Sequence, residues 1–129
     1  MKVNANDFGI CGVEQLFYAG TVAYDDTDID KGIALKKLPN NIIITRAVAV
    51  VNTAFDAGST NVLTLGTNDD CDNILGSADI TEGTTGAYSK QVFVQAATKA
   101  EIKAKYTQTG TDATAGEADI YVFFVSIPD

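Results

Sequence analysis

Short stretches of β-branched and aromatic residues recur along the chain, and polar segments rich in Gly, Asp, Asn and Thr separate them. The strongest stretch spans residues 42–51, in which six of the ten residues are Ile or Val. Branching at Cβ restricts χ1 and favours strands over helices. The same pattern predicts further strands at residues 16–24, 29–38, 61–65, 88–95, 101–107 and 118–127.

Residues 101–107 alternate between apolar and polar side chains. Ile102, Ala104 and Tyr106 fall on one face, with two lysines on the other, which is typical of a strand with one buried face. The segment 95–105 also contains good helix formers, so a helix there is an alternative. No helical periodicity extends beyond about ten residues. The sequence therefore predicts an all-β protein, an antiparallel β-sandwich or jelly roll, with residues 1–129 in a single domain.

The last predicted strand, 118–127, is apolar on both faces. Its two faces consist of Ile120, Val122 and Phe124 on one side and of Tyr121, Phe123, Val125 and Ile127 on the other. Either the strand is central and wholly buried, or one of its faces contacts another subunit. Because residues 42–51 have the same character, we expect an oligomer or a docked partner. The side chains predicted to make this contact are Tyr121, Phe123 and Val125, with Phe55 near a loop tip as a second choice.

The composition excludes several classes of function. The 129 residues carry a formal charge of −8 and include no His and no Trp. Without His there is no Ser–His–Asp triad and no His-ligated metal centre, and the glycines form no phosphate-binding loop. The acidic charge disfavours nucleic acid as a partner. No stretch approaches the roughly 20 apolar residues of a membrane span, and no secretory signal is recognisable, so we expect synthesis in the cytoplasm and no membrane partner.

Two cysteines, Cys11 and Cys71, lie 60 positions apart. This spacing matches neither a zinc finger nor a redox dithiol loop. So few cysteines rarely form a disulfide framework, although a Cys11–Cys71 bond is an alternative. We expect each thiol to behave as a small buried hydrophobic group.

One segment has the character of a metal site. Oxygen-bearing side chains occupy the first, third, fifth and twelfth places of a calcium-type loop, at Asn68, Asp70, Asp72 and Asp79. The loop departs from that pattern at Asn73, which stands where a Gly is expected, and at Asp79, which is shorter than the usual Glu. An acidic turn that uses Asp and Asn for their turn preference is the competing interpretation.

An ordered series of segments follows residue 35. A Lys-Leu-Pro-Asn-Asn turn at 37–41 leads into the strand 42–51, and the segments 52–60, 62–70, 72–75, 78–80 and 114–122 follow. These segments make up about two-thirds of the chain. In their order and in their amino-acid sequence they resemble small virion structural proteins of tailed bacteriophages. The resemblance implies a β-sandwich or jelly-roll module that serves as capsid decoration, head-fibre or tail-associated subunit, with no catalytic residues.

The expected function is therefore that of a non-enzymatic virion structural protein, made in the host cytoplasm. We expect it to form a homo-oligomer, a trimer being the expected form, and to bind other virion proteins through apolar strand faces. The alternative is a calcium-assisted carbohydrate- or surface-binding module, in which the 68–79 loop holds calcium and tyrosines stack on sugar.

Overall fold

The computed structural model describes residues 14–127, and none of these residues lies in a helix. The strands are β1 (Gln15–Ala23), β2 (Ile33–Lys37), β3 (Ile42–Thr53), β4 (Thr60–Gly66), β5 (Gly86–Gln95), β6 (Glu101–Thr109) and β7 (Glu117–Ser126). The predicted all-β fold is confirmed. Between β5 and β6 the chain makes a turn closed by the Ala100 N–H, which donates to the Ala97 carbonyl. The helical alternative for residues 95–105 is therefore wrong.

The strands form two antiparallel sheets that pack face to face. One has four strands in the order β1-β7-β3-β5, and the other has three in the order β2-β6-β4. Consecutive strands alternate between the sheets, so each connection crosses from one layer to the other. This arrangement is that of a jelly roll. The two most apolar strands, β3 and β7, take the central positions of the four-stranded sheet.

The hydrophobic core lies between the sheets and consists of every second residue of the central strands. Ile120, Val122 and Phe124 of β7 are almost fully buried, whereas the residues between them are partly exposed. From the other sheet, Tyr106 of β6 packs on Phe55, with ring centroids 4.7 Å apart. Phe55 is 2% exposed, so the prediction that it presents its ring to a partner is wrong. It lies two residues after the end of β3 and turns inward to fill the core.

Residues 67–85 take the place of an eighth strand beside β4. The Leu65 and Leu75 backbones exchange two hydrogen bonds, of 3.0 and 2.9 Å. Two residues earlier on β4, the Leu63 N–H donates to Glu82 Oε2 at 2.8 Å instead of to a carbonyl of a paired strand. Ile74, Leu75 and Ile80 bury their side chains in the core. The segment therefore completes the three-stranded sheet without regular pairing.

A glycine ahead of β7 tests this packing. Gly116 has φ +150°, and a Cβ built on it would overlap the Phe55 ring. Because backbone strain and overpacking add, we expect Gly116→Ala to lower stability by about 2–4 kcal/mol, a fall in Tm of at least about 5 °C. Gly83, which has open space around its Cα, is the matched control, and Gly83→Ala should leave Tm nearly unchanged. Equal melting temperatures for the two variants would contradict the packing described.

Candidate functional site: the outer face of the four-stranded sheet

The four-stranded sheet has apolar side chains on the face that points away from the core. We call this surface the outer apolar face; its side chains are Leu16, Tyr18, Ile43, Val48, Val50, Phe93, Tyr121, Phe123 and Val125. Strand register places them side by side, since Leu16 lies opposite Phe123 and Tyr18 opposite Tyr121. On the other side of β7, Ile43 lies opposite Val125. The surface is therefore continuous across the sheet.

The most exposed large hydrophobic side chains of the described residues all lie on this face. Phe93 is 78% exposed, Leu16 60% and Tyr18 46%. Tyr121, Phe123 and Val125 are partly exposed, because neighbouring strands shield their flanks. Single exposed apolar residues are ordinary, but a contiguous apolar surface marks an interaction site.

Polar groups hold the aromatic rings in place at one end of the face. The Tyr18 and Tyr121 rings lie 5.2 Å apart. The Tyr18 hydroxyl is 2.6 Å from Thr21 Oγ1, which in turn donates to Asp119 Oδ1 at 2.6 Å. The other Asp119 oxygen accepts from the Asn52 amide at 2.8 Å. This network fixes the orientation of Tyr18 before any partner binds.

One cation stands within the outer apolar face. The Arg46 guanidinium lies 5.5 Å from the centre of the Phe123 ring, a cation–π contact. In residues 14–127 the ion pairs are Lys31–Asp28, Lys90–Asp79 and Lys103–Asp69, so Arg46 has no carboxylate partner there. An exposed planar guanidinium beside aromatic rings is typical of protein interfaces.

The outer face of the three-stranded sheet has the opposite character. Its central strand, β6, presents Lys103, Lys105 and Thr107 outward between the buried Ile102, Ala104 and Tyr106. Polar side chains on the solvent side are the rule for an antiparallel sheet covered on one face. Only the four-stranded sheet departs from this rule, which singles out its outer apolar face as the candidate site.

The structure brings three of the predicted contact residues together here. Tyr121, Phe123 and Val125 share the outer apolar face, and their role in contact stays a prediction. Leu16, Tyr18 and Phe93 were not among the contact residues predicted from sequence. Their signal was present, because residues 16–19 and 92–94 are apolar without alternation, as in the last strand.

Three of the four residues predicted to hold calcium are engaged with other protein groups. Asn68 and Asp72 bond to each other, through Asn68 Nδ2 to Asp72 Oδ1 at 3.2 Å and the Asp72 N–H to Asn68 Oδ1 at 3.1 Å. Asp79 Oδ2 accepts from the Gly76 N–H at 2.7 Å and from Lys90 Nζ at 3.0 Å. Asp70 is exposed. Across residues 14–127 no three acidic, Cys or His side chains form a metal-binding cluster, and calcium at this loop stays a prediction from sequence.

Cys71 is 2% exposed, as expected of a free thiol that packs as a hydrophobic group. Burial raises the pKa of its thiol and keeps it protonated. The alternative of a bond to Cys11 involves a residue outside the described part of the chain.

The acidic side chains with shifted pKa values have structural partners. Asp56 accepts from the Thr114 N–H at 2.7 Å and the Ala115 N–H at 3.0 Å, and these bonds lower its pKa. The pKa of Asp79 is also lowered, because the Gly76 N–H and Lys90 outweigh the opposing effect of burial. Burial raises the pKa of Glu82 and outweighs the hydrogen bond from the Leu63 N–H, which acts to lower it. Each of these carboxylates holds a loop or a strand edge and lies away from the outer apolar face.

The fold has counterparts among solved phage capsids. A chain of the cyanophage Pam1 capsid asymmetric unit aligns with a TM-score of 0.68 and 13% identity, covering 98% of this chain and 94% of that chain. The fold is the one found in that capsid chain. A chain of the acidic stable capsid structure of Helicobacter pylori bacteriophage KHP30 aligns with a TM-score of 0.51 and 14% identity, covering 93% of this chain and 97% of that one. At such identity the likeness concerns the fold alone.

The sequence matches no protein-family model and none of the curated proteins. Within residues 14–127 the structure contains no helix with the length and apolar character to cross a membrane.

Glu82 gives a prediction with a defined pH dependence. Its pKa is raised on folding, so the ionised carboxylate costs stability at neutral pH, and this cost disappears as the pH falls towards the unfolded value near 4.5. Glu82→Gln removes the charge and keeps an oxygen that can accept from the Leu63 N–H. We expect its Tm at pH 7 to equal or exceed that of the wild type, with the difference shrinking towards pH 4.5.

The matched variant Glu82→Ala leaves the buried Leu63 N–H without an acceptor, so it should lose about 1–3 kcal/mol. Thermal melts at several pH values make the comparison. If Glu82→Gln lowers the Tm at pH 7 as much as Glu82→Ala does, the prediction is contradicted. The Glu82 carboxylate would then do more than accept the hydrogen bond from Leu63.

Two adjacent residues of β7 test the assignment of faces. Phe124 lies in the core and Phe123 on the outer apolar face. We expect Phe124→Ala to cost about 3–5 kcal/mol, because it leaves a cavity. Phe123→Ala should cost no more than about 1 kcal/mol in the isolated subunit, mainly the contact with Arg46. Denaturant unfolding measures both free energies, and a reversed order would contradict the register.

Proposed function

We propose that this protein is a non-enzymatic structural subunit of a bacteriophage virion. In this proposal it decorates the capsid or a head- or tail-associated structure, in an oligomer of identical copies. The observation that carries the proposal is the outer apolar face, which covers one side of a jelly roll with side chains suited to contact with protein. Capsid chains with the same fold support a virion setting, as does the resemblance of the sequence to phage structural proteins.

Binding would rest on burial of apolar surface rather than on chemistry at a site. Four strands about 4.8 Å apart and about 34 Å long cover roughly 650 Å² of sheet in projection. A stable interface buries about 800 Å² of accessible surface per partner, so the outer apolar face is comparable in size with one such contact. Many copies on a symmetric shell would add avidity to such a contact. The oriented Tyr18 ring and Arg46 would add specificity, because both are held before binding.

The charge of −8 suits a subunit that must stay soluble before it assembles. The acidic side chains lie mainly in loops, such as residues 25–30 and 68–72, rather than on the outer apolar face. Repulsion between free copies would therefore act mostly away from the binding surface.

Quantitative mass spectrometry of virions tests the proposal directly. Particles would be purified on a density gradient from the phage whose genome encodes this chain. We expect the chain to remain with the particles at many copies each, in a fixed ratio to the shell protein. Recovery of the chain only in the unassembled fraction would contradict the proposal.

Paired variants show whether the outer apolar face is responsible. Tyr121→Ser combined with Phe123→Ser should reduce the copies per particle at least about tenfold, since each lost 1.4 kcal/mol of binding is a factor of ten. The control changes Lys103 and Lys105 to Ser on the opposite sheet and should leave the copy number unchanged. An equal loss from both pairs would place the docking surface elsewhere.

A further inference from the structure

The free edges of the two sheets are unequally protected. β2 has five residues, an irregular register and two lysines. β4 is covered by residues 67–85, which supply the Leu75 backbone and the Glu82 carboxylate to its outward N–H groups. Short strands, lysines and covering segments are the usual protection against pairing with other chains.

β1 is protected by its contact with the opposite sheet. Lys36 of β2 lies over the Phe17 ring, 5.1 Å from its centre, and its Nζ reaches 3.5 Å from the Tyr18 carbonyl. Next to this point the register of β1 shifts between Tyr18 and Gly20. A bulged strand with a cation at its carbonyl is a poor template for a further strand.

β5 differs from these edges in length and charge, although its register against β3 also shifts, between Val94 and Gln91. It is ten residues long, forms the other edge of the four-stranded sheet, and pairs only with β3 among residues 14–127. Because the Ala96 N–H donates to the Ile42 carbonyl and Gln95 lies opposite Ile43 in regular register, the Gln95 N–H points away from β3. A long edge with free donors and acceptors is a site for strand addition.

The side chains of β5 favour such pairing. Its sequence, Gly-Ala-Tyr-Ser-Lys-Gln-Val-Phe-Val-Gln, contains no proline and one charge. That charge, on Lys90, is turned to the inner side, where its Nζ lies 3.0 Å from Asp79. The outward side chains at the free edge are neutral, and Phe93 is the most exposed large hydrophobic residue of the described chain.

We propose that β5 pairs antiparallel with β5 of a second copy about a two-fold axis. The two four-stranded sheets then form one continuous sheet of eight strands. Pairing places two outer apolar faces side by side, so that both can dock on the virion. In this consequence the inference rests on the proposed function. Together the two faces double the sheet surface available for docking, to roughly 1,300 Å² in projection, and so give a stronger contact than one face does.

A second copy fits this edge better than a charged partner does. Two molecules of charge −8 repel each other, so contact between them requires a neutral surface. β5 is such a surface, and an antiparallel strand paired with its own copy makes the same contacts twice, as a two-fold interface requires. Partners of opposite charge would find little on β5 to bind.

Sedimentation equilibrium at micromolar concentrations tests the pairing. The expected mass of the wild type is about 27 kDa, twice the 13.6 kDa chain. Gln95→Pro removes an outward N–H and should give a species of about 14 kDa. Gln95→Ala removes the same side chain, keeps the N–H, and should remain mainly dimeric. A monomeric wild type, a dimeric Gln95→Pro variant, or the trimer expected from the sequence at about 41 kDa would each overturn the proposal.

Hydrogen exchange of the wild type gives a test that needs no variant. The Gln95 amide should exchange slowly at high protein concentration and at least about tenfold faster on dilution, as the β5 pair dissociates. The exposed Gly83 amide should exchange fast at both concentrations, and the buried Val122 amide slowly at both. A dimer in which the Gln95 amide exchanges fast at all concentrations would place the contact elsewhere and overturn the proposal.

The two proposals fail in different measurements. A monomer that is nevertheless found at many copies in virions removes the β5 pairing and leaves the proposed function. A β5-paired dimer that is missing from virions removes the proposed function and leaves the pairing.

Discussion

The structure depends on the burial of one face, and only one, of an unusually apolar sheet. Alternate residues of β3 and β7 enter the core opposite Leu63, Ile102 and Tyr106, and this contact fixes the register of the central strands. A shift of one residue would exchange the core side chains for those of the outer apolar face. Because both sets are apolar, the sequence pattern alone does not prevent such a shift. The bulges in β1 and β3 and the inward turn of Phe55 hold the register.

A second constraint follows from the irregular segment beside β4. A jelly roll without a regular eighth strand would leave an open edge on the smaller sheet, and residues 67–85 close it with the Leu75 backbone and the Glu82 carboxylate. The buried Glu82 costs solvation free energy that a strand would not. Closing this edge leaves β5 as the open edge of the described sheets. Copies that join by pairing their free strand edges would therefore join through β5.

Much of the fold could be predicted from sequence, because strands rich in Ile and Val alternate with turn residues at regular spacing. The double-sided pattern of residues 118–127 also indicated an uncovered face. Its explanation required the structure: β7 is a central strand, yet the sandwich covers it on one side only. Phe55 could not be placed from sequence, since a residue after a strand turns inward or outward according to the space that Gly116 leaves for its ring. The 68–79 loop matched the spacing of calcium ligands, but spacing does not show that Asp79 is bound to Lys90.

The central claim is that the outer apolar face is covered by protein in an assembled particle. Hydroxyl-radical footprinting of the free subunit and of intact virions measures this coverage residue by residue. The account predicts that Tyr18, Phe93, Tyr121 and Phe123 become at least several-fold less reactive in the particle. Thr107 and Tyr24, away from that face, should change little. Equal reactivity of the four aromatic side chains in the free and assembled states would contradict the account.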